Sequence, residues 1–207
     1  FIGEPNVPVT ALDPEHPVTF GAYMNDLDII NNKKQLSLAM AAAHKIIPEV
    51  LGDLKKLTGR AYPILDAYRM ADAEYAVVLL NSAAETAKDV VDRLRDKGEK
   101  VGVLSPNILR PFPAKEFQNT LKNVKAIIVG DRADSYGANG GNLSLELRAA
   151  LQQDQGNQTR VLSRIYGLGG KDFCEADVET FFEQARNSTI PFDYHGTYKG
   201  ENHTPEM

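Results

Sequence analysis

The spacing of apolar residues separates a helical stretch near the N-terminus from a later succession of strands and helices. Between Asn32 and Leu57, apolar residues recur at steps of three and four, which predicts an amphipathic helix. Pro48 lies inside this pattern and predicts a kink or the start of a second helical half, and Gly59 marks the end. The apolar stripe needs a covering surface, and its members are Leu36, Met40, Ala43, Ile47, Val50, Leu51 and Leu54.

From Glu74 onward, short apolar runs alternate with amphipathic segments. This succession predicts an α/β fold with a mostly parallel, doubly wound open sheet flanked by helices. The first of its helices begins at Ser82, which forms a capping box with Glu85, and ends at Gly98. The predicted strands are Glu74–Asn81, Lys100–Leu104, Lys125–Asp131 and Arg160–Gly167, and the later helices are Ala114–Leu121, Leu143–Gln152 and Glu175–Arg186.

The two ends of the chain lack such periodicity. Prolines from Pro5 to Pro17 prevent a helix up to about Thr19, which predicts an extended strap. The residues after Asn187 predict an extended or frayed tail. The predicted organisation is therefore a strap and long helix in residues 1–60, an α/β domain in residues 61–187 and a tail in residues 188–207.

Composition narrows the classes of partner. The 207 residues are 43% hydrophobic and 25% charged, which is typical of a soluble globular protein. The net charge is −5 and no basic stripe is present, so neither nucleic acid nor an anionic membrane is expected as a partner. The longest apolar runs, such as YAVVLL, are too short to span a bilayer, and the first ten residues lack the pattern of a signal peptide.

Cysteine and histidine usage limits the chemistry. The single cysteine, Cys174, excludes an internal disulfide, a thiolate zinc site and an iron–sulfur cluster within this chain. This usage suits a reducing cytoplasm, and a packed thiol beside Phe173 is expected. The histidines show no metal-ligand spacing, and no G-x-S-x-G elbow occurs. We therefore predict no catalytic, cofactor-binding or metal-ligating residue in this chain.

The loop Asp131–Gly141, DRADSYGANGG, allows two interpretations. Its glycines are Gly137, Gly140 and Gly141, whose spacing departs from the dinucleotide-binding fingerprint. One interpretation is a chain reversal that Asp131 and Arg132 fix by pairing. The other is an anion held by backbone N–H groups at the start of the following helix, where Asp131 ends a strand.

A second candidate contact is Arg110 in the stretch RPFP. The prolines hold its guanidinium on a stiff frame, where it could bind a carboxylate or phosphate group. An internal or intersubunit salt bridge is the alternative.

Six segments in one order resemble the C-terminal part of the alpha component of 2-oxoacid:ferredoxin oxidoreductases, the pyruvate:ferredoxin oxidoreductase family. They cover most of the chain between Leu12 and Arg186, and each is weak alone. The segments are Leu12–Tyr23, Leu57–Tyr62, Asp72–Leu104, Leu109–Pro113, Asp131–Leu151 and Tyr166–Phe182.

This resemblance implies a transketolase C-terminal-like domain in residues 61–187, preceded by the end of another domain and a connecting helix. Enzymes of this family convert a 2-oxo acid and coenzyme A to an acyl-CoA and carbon dioxide, and they pass electrons to ferredoxin. Their thiamine diphosphate, Mg and [4Fe–4S] clusters are expected in other domains or subunits. Those components are the expected partners, with ferredoxin as an indirect one.

Three departures from the family pattern bear on function. The stretch MNDLDIINNKKQLSLAM differs from the pyruvate enzymes, so a related acid such as oxalate is an alternative substrate. LSPNIL replaces a run that is richer in arginine, and Cys174 stands where Thr or Ser usually caps the last helix. The expected role is a scaffold or interface domain, and the alternative is a free-standing module that binds a small anion or coenzyme A.

Overall fold

The computed structural model describes Gly3, residues 14–17, Gly21 and residues 23–198. The predicted strap therefore lies largely outside the described residues. The chain divides into two units, residues 1–42 and residues 43–207. Within the described residues, no helix combines the length and apolarity that crossing a membrane requires.

The long N-terminal helix α1 spans Asp26–Thr58 and begins earlier than the predicted Asn32. Acidic residues in its first turn and lysines in its last turn complement the helix dipole. Pro48 lies inside the helix without interrupting it, and Gly59 follows its end with φ of 72°. None of the predicted stripe is fully buried: Leu36 is 54% exposed and Val50 is 51% exposed, while the other five members are half-buried.

Six strands form one sheet: β1 (Leu65–Tyr68), β2 (Tyr75–Val78), β3 (Val101–Pro106), β4 (Ala126–Asp131), β5 (Arg160–Ile165) and β6 (Phe192–Tyr194). Their order across the sheet is β1-β3-β2-β4-β5-β6, and only β1 runs antiparallel to its neighbour. All six residues of β4 are buried. Central parallel strands are covered on both faces, which explains their unbroken apolar runs. The prediction of a mostly parallel sheet is confirmed.

Four helices cover the two faces of the sheet: α2 (Ser82–Asp96), α3 (Ala114–Leu121), α4 (Asn142–Gln152) and α5 (Glu175–Asn187). Helices α2 and α5 share one core with the sheet, in which Phe181 and Phe182 are fully buried. Helices α3 and α4 share the other core, with Phe117 and Leu147 at its centre. The doubly wound arrangement is thus present, and the helices were predicted close to their observed bounds.

The outer strands β1 and β6 were not predicted. Strand β6 lies in the segment that was expected to be a loose tail, and the sheet therefore continues to Tyr194, beyond residue 187. The N–H group of His195 donates to the carbonyl oxygen of Ile165 at 2.8 Å. The buried guanidinium of Arg164 donates to the carbonyl oxygen of Ile190 at 3.2 Å. A strand of three residues is too short to show a periodic pattern in the sequence. Its place in the sheet is therefore visible only from its pairing with β5 and from these contacts.

Two predictions about helix starts need correction. The N-cap of α2 is Asn81 rather than Ser82, and no side chain caps that end. As the first helical residue, Ser82 cannot form the predicted box, and Glu85 pairs instead with Lys88 at 2.8 Å. Cys174 is the N-cap of α5 and is exposed rather than packed, and its N–H group donates to Asp177 Oδ2 at 2.7 Å.

Candidate functional site

A cavity of about 570 Å³ opens at the carboxyl ends of the central strands. The chain leaves β2 toward β3 on one side, whereas β4 lies on the other side of β2. The loops after these strands separate there, and open α/β sheets commonly bind ligands at such a point. The volume lies within the usual range of about 300–1,000 Å³ for ligand pockets. This cavity is the candidate functional site.

Asp131 ends β4 and caps helix α4 from within the protein. It is 6% exposed, and its carboxylate accepts the N–H groups of Leu143 at 2.9 Å and Ser144 at 3.2 Å. Burial raises the pKa of Asp131, and the two N–H donors act against that rise. The expected pairing of Asp131 with Arg132 is wrong, because the helix start takes the carboxylate.

The glycines of the loop differ in what surrounds them. A Cβ at Gly141 would lie 2.3 Å from Asp131 Cβ, and one at Gly140 would lie 2.5 Å from Ser144 Oγ. Gly137 has φ of 74°, but nothing lies within 4 Å of the place where its Cβ would be. Gly140 and Gly141 therefore permit close packing, whereas Gly137 serves only the turn.

A buried serine pair holds the same loop against β5. Ser163 Oγ accepts the N–H group of Gly141 at 3.1 Å, and Ser144 Oγ lies 2.9 Å from Ser163 Oγ. Ser144 Oγ also donates to the carbonyl oxygen of Gly141 at 2.9 Å. The N–H and carbonyl groups of Gly141 are thus hydrogen-bonded to the two serine hydroxyls.

The two candidate arginines have different surroundings. Arg110 forms a two-point ion pair with Glu146, at 2.7 Å between Nη1 and Oε2 and 2.5 Å between Nη2 and Oε1. The hydrogen bonds and charge of Glu146 raise the pKa of Arg110. Arg132 donates to the carbonyl oxygen of Gly167 at 3.2 Å and lies 5.8 Å from the ring centroid of Tyr166. Among the described residues, Arg132 has no carboxylate partner.

Sequence reasoning missed three groups on the cavity wall. Tyr166, after β5, is 2% exposed and lines the cavity, yet its hydroxyl has no hydrogen-bond partner in the described part of the chain. The N–H groups of Ser82 and Ala83, at the uncapped start of α2, likewise lack acceptors there. Asn81 precedes them with φ of 52°, a backbone conformation that asparagine tolerates better than most residues. The dipeptide Asn81–Ser82 after an apolar strand was the available signal, whereas nothing in the sequence distinguishes Tyr166.

Neither His44 nor His195 lines the cavity. His44 Nε2 lies 3.4 Å from Glu116 Oε1, with the histidine side chain 33% exposed. His195 Nε2 lies 2.7 Å from Asp177 Oδ1, and the ring packs edge-on against Phe181. Within residues 23–198 and the few earlier described positions, no three histidine, cysteine or acidic side chains form a metal-binding group.

The cofactors that the resemblance implies do not fit the residues of this chain. A [4Fe–4S] cluster needs several thiolates, and the sequence has one cysteine. The carboxylate nearest the cavity, Asp131, already accepts two backbone N–H groups, and Glu146 is paired with Arg110. Neither is available as a free ligand for a diphosphate-bound Mg²⁺ ion, so we derive no chemical step through these groups.

The fold and the cavity together define a doubly wound α/β domain with a candidate ligand site at the carboxyl ends of its central strands. Residues 73–178 match the family model described as pyruvate:ferredoxin oxidoreductase core domain II, and the chain belongs to this family. The family resemblance that the sequence segments indicated is thereby confirmed.

Relatives extend the match over most of the chain. It is 37% identical over 193 residues to the pyruvate synthase subunit PorA of Thermotoga maritima, covering 93% of this chain and 49% of that subunit. It is 32% identical over 180 residues to the pyruvate:ferredoxin oxidoreductase of Moorella thermoacetica, covering 86% of this chain and 15% of that protein. The chain thus spans about half the length of PorA.

Two solved structures are also similar. One is a 2-oxoglutarate:ferredoxin oxidoreductase from Magnetococcus marinus, with a TM-score of 0.43, 17% identity and coverage of 60% of this chain and 19% of that one. The other is a split-gene transketolase, with a TM-score of 0.48, 12% identity and coverage of 64% and 45%.

Proposed function

We propose that this chain forms part of the alpha component of a thiamine diphosphate-dependent 2-oxoacid:ferredoxin oxidoreductase. The match to PorA over 93% of the chain carries this proposal. The reaction is the oxidative decarboxylation of pyruvate, or the oxidation of a related acid such as oxalate, in the cytoplasm. With pyruvate, coenzyme A accepts the acetyl group that remains after loss of carbon dioxide, whereas oxalate is oxidised to two molecules of carbon dioxide and leaves no acyl group. In both cases electrons pass through [4Fe–4S] clusters to ferredoxin.

Within that enzyme, we assign this chain the role of a scaffold and interface domain. Its own donor groups suit neither thiamine diphosphate nor a cluster, so other domains or subunits supply both. The incompletely buried stripe of α1 supports an interface, since an amphipathic helix of 33 residues gains most of its stability from packing its apolar face. We propose that residues 1–60 connect to a neighbouring domain and that residues 61–187 form the body of this one.

The purified 207-residue chain should be catalytically silent. We expect no reduction of a viologen dye when it is given pyruvate or oxalate with coenzyme A, thiamine diphosphate and Mg²⁺. The reason is that the chain has one cysteine and no free acidic pair at its cavity. A complete enzyme of the same family, assayed in parallel, controls for the reagents. Turnover by the isolated chain would overturn the scaffold assignment.

Limited proteolysis should separate the two parts of the chain. We expect trypsin to cut within residues 1–60 before it cuts within residues 74–182. The lysines of α1 are exposed, whereas the region from β2 to α5 contains the buried core. Mass spectrometry of the early fragments would locate the cuts. Equal resistance in both regions would count against an interface that needs a partner.

A further inference from the structure

The cavity at the carboxyl ends of β2 and β4 contains polar groups that the protein itself leaves unpaired. We propose that it binds a small organic monocarboxylate with an apolar body, held by Arg132, the hydroxyl of Tyr166 and the first N–H groups of α2. This site goes beyond the proposed scaffold role and does not depend on it.

Tyr166 gives the first reason. Its side chain is almost fully buried, and its hydroxyl has no hydrogen-bond partner among the described residues. The hydroxyl oxygen itself is not sealed off from solvent, so it is accessible to a ligand. Tyr166 lines the cavity, so a ligand oxygen there can accept a hydrogen bond from its hydroxyl. Burial raises the pKa of Tyr166, so the group remains a donor at neutral pH.

The start of α2 supplies two further donors. The N–H groups of Ser82 and Ala83 have no acceptor in the described part of the chain, and both residues line the cavity. The start of α4 differs, because Asp131 already accepts the N–H groups there. The sequence suggested that the glycine loop could bind an anion at the start of α4. Among the described residues, the N–H groups that remain free to do so are instead at the start of α2.

The charges around the cavity favour a single negative charge on the ligand. Arg110 and Glu146 neutralise each other, and the carboxylate of Asp131 is held by two N–H groups of α4. Arg132 is left as one cation without a carboxylate partner among the described residues. One unpaired guanidinium matches a monoanion, whereas the second charge of a phosphate dianion would have no unpaired cation on the described cavity wall to balance it.

The rest of the wall is largely apolar. Leu80, Ala83, Leu109, Leu143 and the ring of Tyr166 line it. Such a surface with a few convergent donors is the usual composition of a small-molecule site. The ligand therefore combines a carboxylate with an aliphatic or aromatic body.

The test uses 4-phenylbutanoate as the probe and its neutral amide as the matched control. Titration into the ¹⁵N-labelled chain should shift the amide signals of Ser82 and Ala83 saturably with the acid. The amide should bind at least about tenfold more weakly, because it cannot form charge-assisted hydrogen bonds. Equal binding of acid and amide, no saturable shift with either, or tighter binding of phenyl phosphate would each overturn the proposal.

Substitutions distinguish this site from a general effect. Tyr166→Phe removes only the unpaired hydroxyl, so it should leave the melting temperature of the ligand-free chain unchanged and raise the Kd for the acid about tenfold or more. Arg132→Gln, which retains a donor for the carbonyl of Gly167, should also raise it. Tyr62→Phe, at a tyrosine that does not line the cavity, is the control and should leave the Kd unchanged. An unchanged Kd in both cavity variants would refute the assignment.

Discussion

Asp131→Ala should lower the free energy of unfolding by about 1–3 kcal/mol. The substitution removes the side chain that caps α4, and losing a helix cap costs about 0.5–2 kcal/mol. The upper part of the range applies here because the N–H groups of Leu143 and Ser144 are left without acceptors in a buried place. Urea denaturation at neutral pH, with the slope m compared between variants, measures the change.

Asp131→Asn is the matched control for this prediction. It keeps the shape of the side chain and one acceptor oxygen, but its amide nitrogen cannot accept the second N–H group. It also removes a carboxylate whose charged form burial disfavours. We therefore expect a smaller loss than for alanine, about 1–2 kcal/mol. If both variants unfold within about 0.5 kcal/mol of the unchanged chain, Asp131 is not the structural cap described above.

Gly141→Ala should destabilise the fold by about 3 kcal/mol or more. The new Cβ would lie 2.3 to 2.5 Å from atoms of the Asp131 side chain, so that side chain must move. Overpacking of this kind typically costs about 1–3 kcal/mol, and displacement of Asp131 adds the loss of the cap. The backbone at Gly141 is extended, with φ of −78°, so the expected loss comes from contact rather than from strain.

Two other glycines serve as controls for Gly141. Gly137→Ala should cost only about 1 kcal/mol, because its φ of 74° disfavours a side chain while the surrounding space is open. Gly156→Ala meets only Asp154 Oδ1 at 3.6 Å and should change stability by less than about 0.5 kcal/mol. Equal losses at Gly137 and Gly141 would contradict the packing explanation.

A double variant checks whether the two effects share one cause. If Gly141→Ala acts by displacing the Asp131 side chain, much of its cost is absent once Asp131 is already alanine. The double variant should therefore lose less than the sum of the two single losses, as contacting residues usually do. A fully additive result would mean that the two positions act separately.

The sequence determined the elements whose signal is local. β2 and β4 lie in the unbroken or nearly unbroken apolar runs that buried parallel strands require, and their bounds were predicted within a few residues. Helices α2 and α5 followed from the spacing of their apolar residues, because the faces that pack on the sheet repeat at the helical period. The family, too, followed from segments in their order along the chain.

Only the tertiary structure decided which groups meet. From the sequence alone, the partner of the Asp131 carboxylate could have been Arg132 or the start of α4, because both are close along the chain. Only the position of α4 in the fold places its first N–H groups against Asp131. β6 forms by pairing with the edge of β5. A strand of three residues has too little sequence pattern to be predicted without that pairing. Tyr166 lies at the cavity because the sheet order places the end of β5 beside the end of β4. The order of the strands in the sheet depends on how the connections cross it, and the local sequence does not show this.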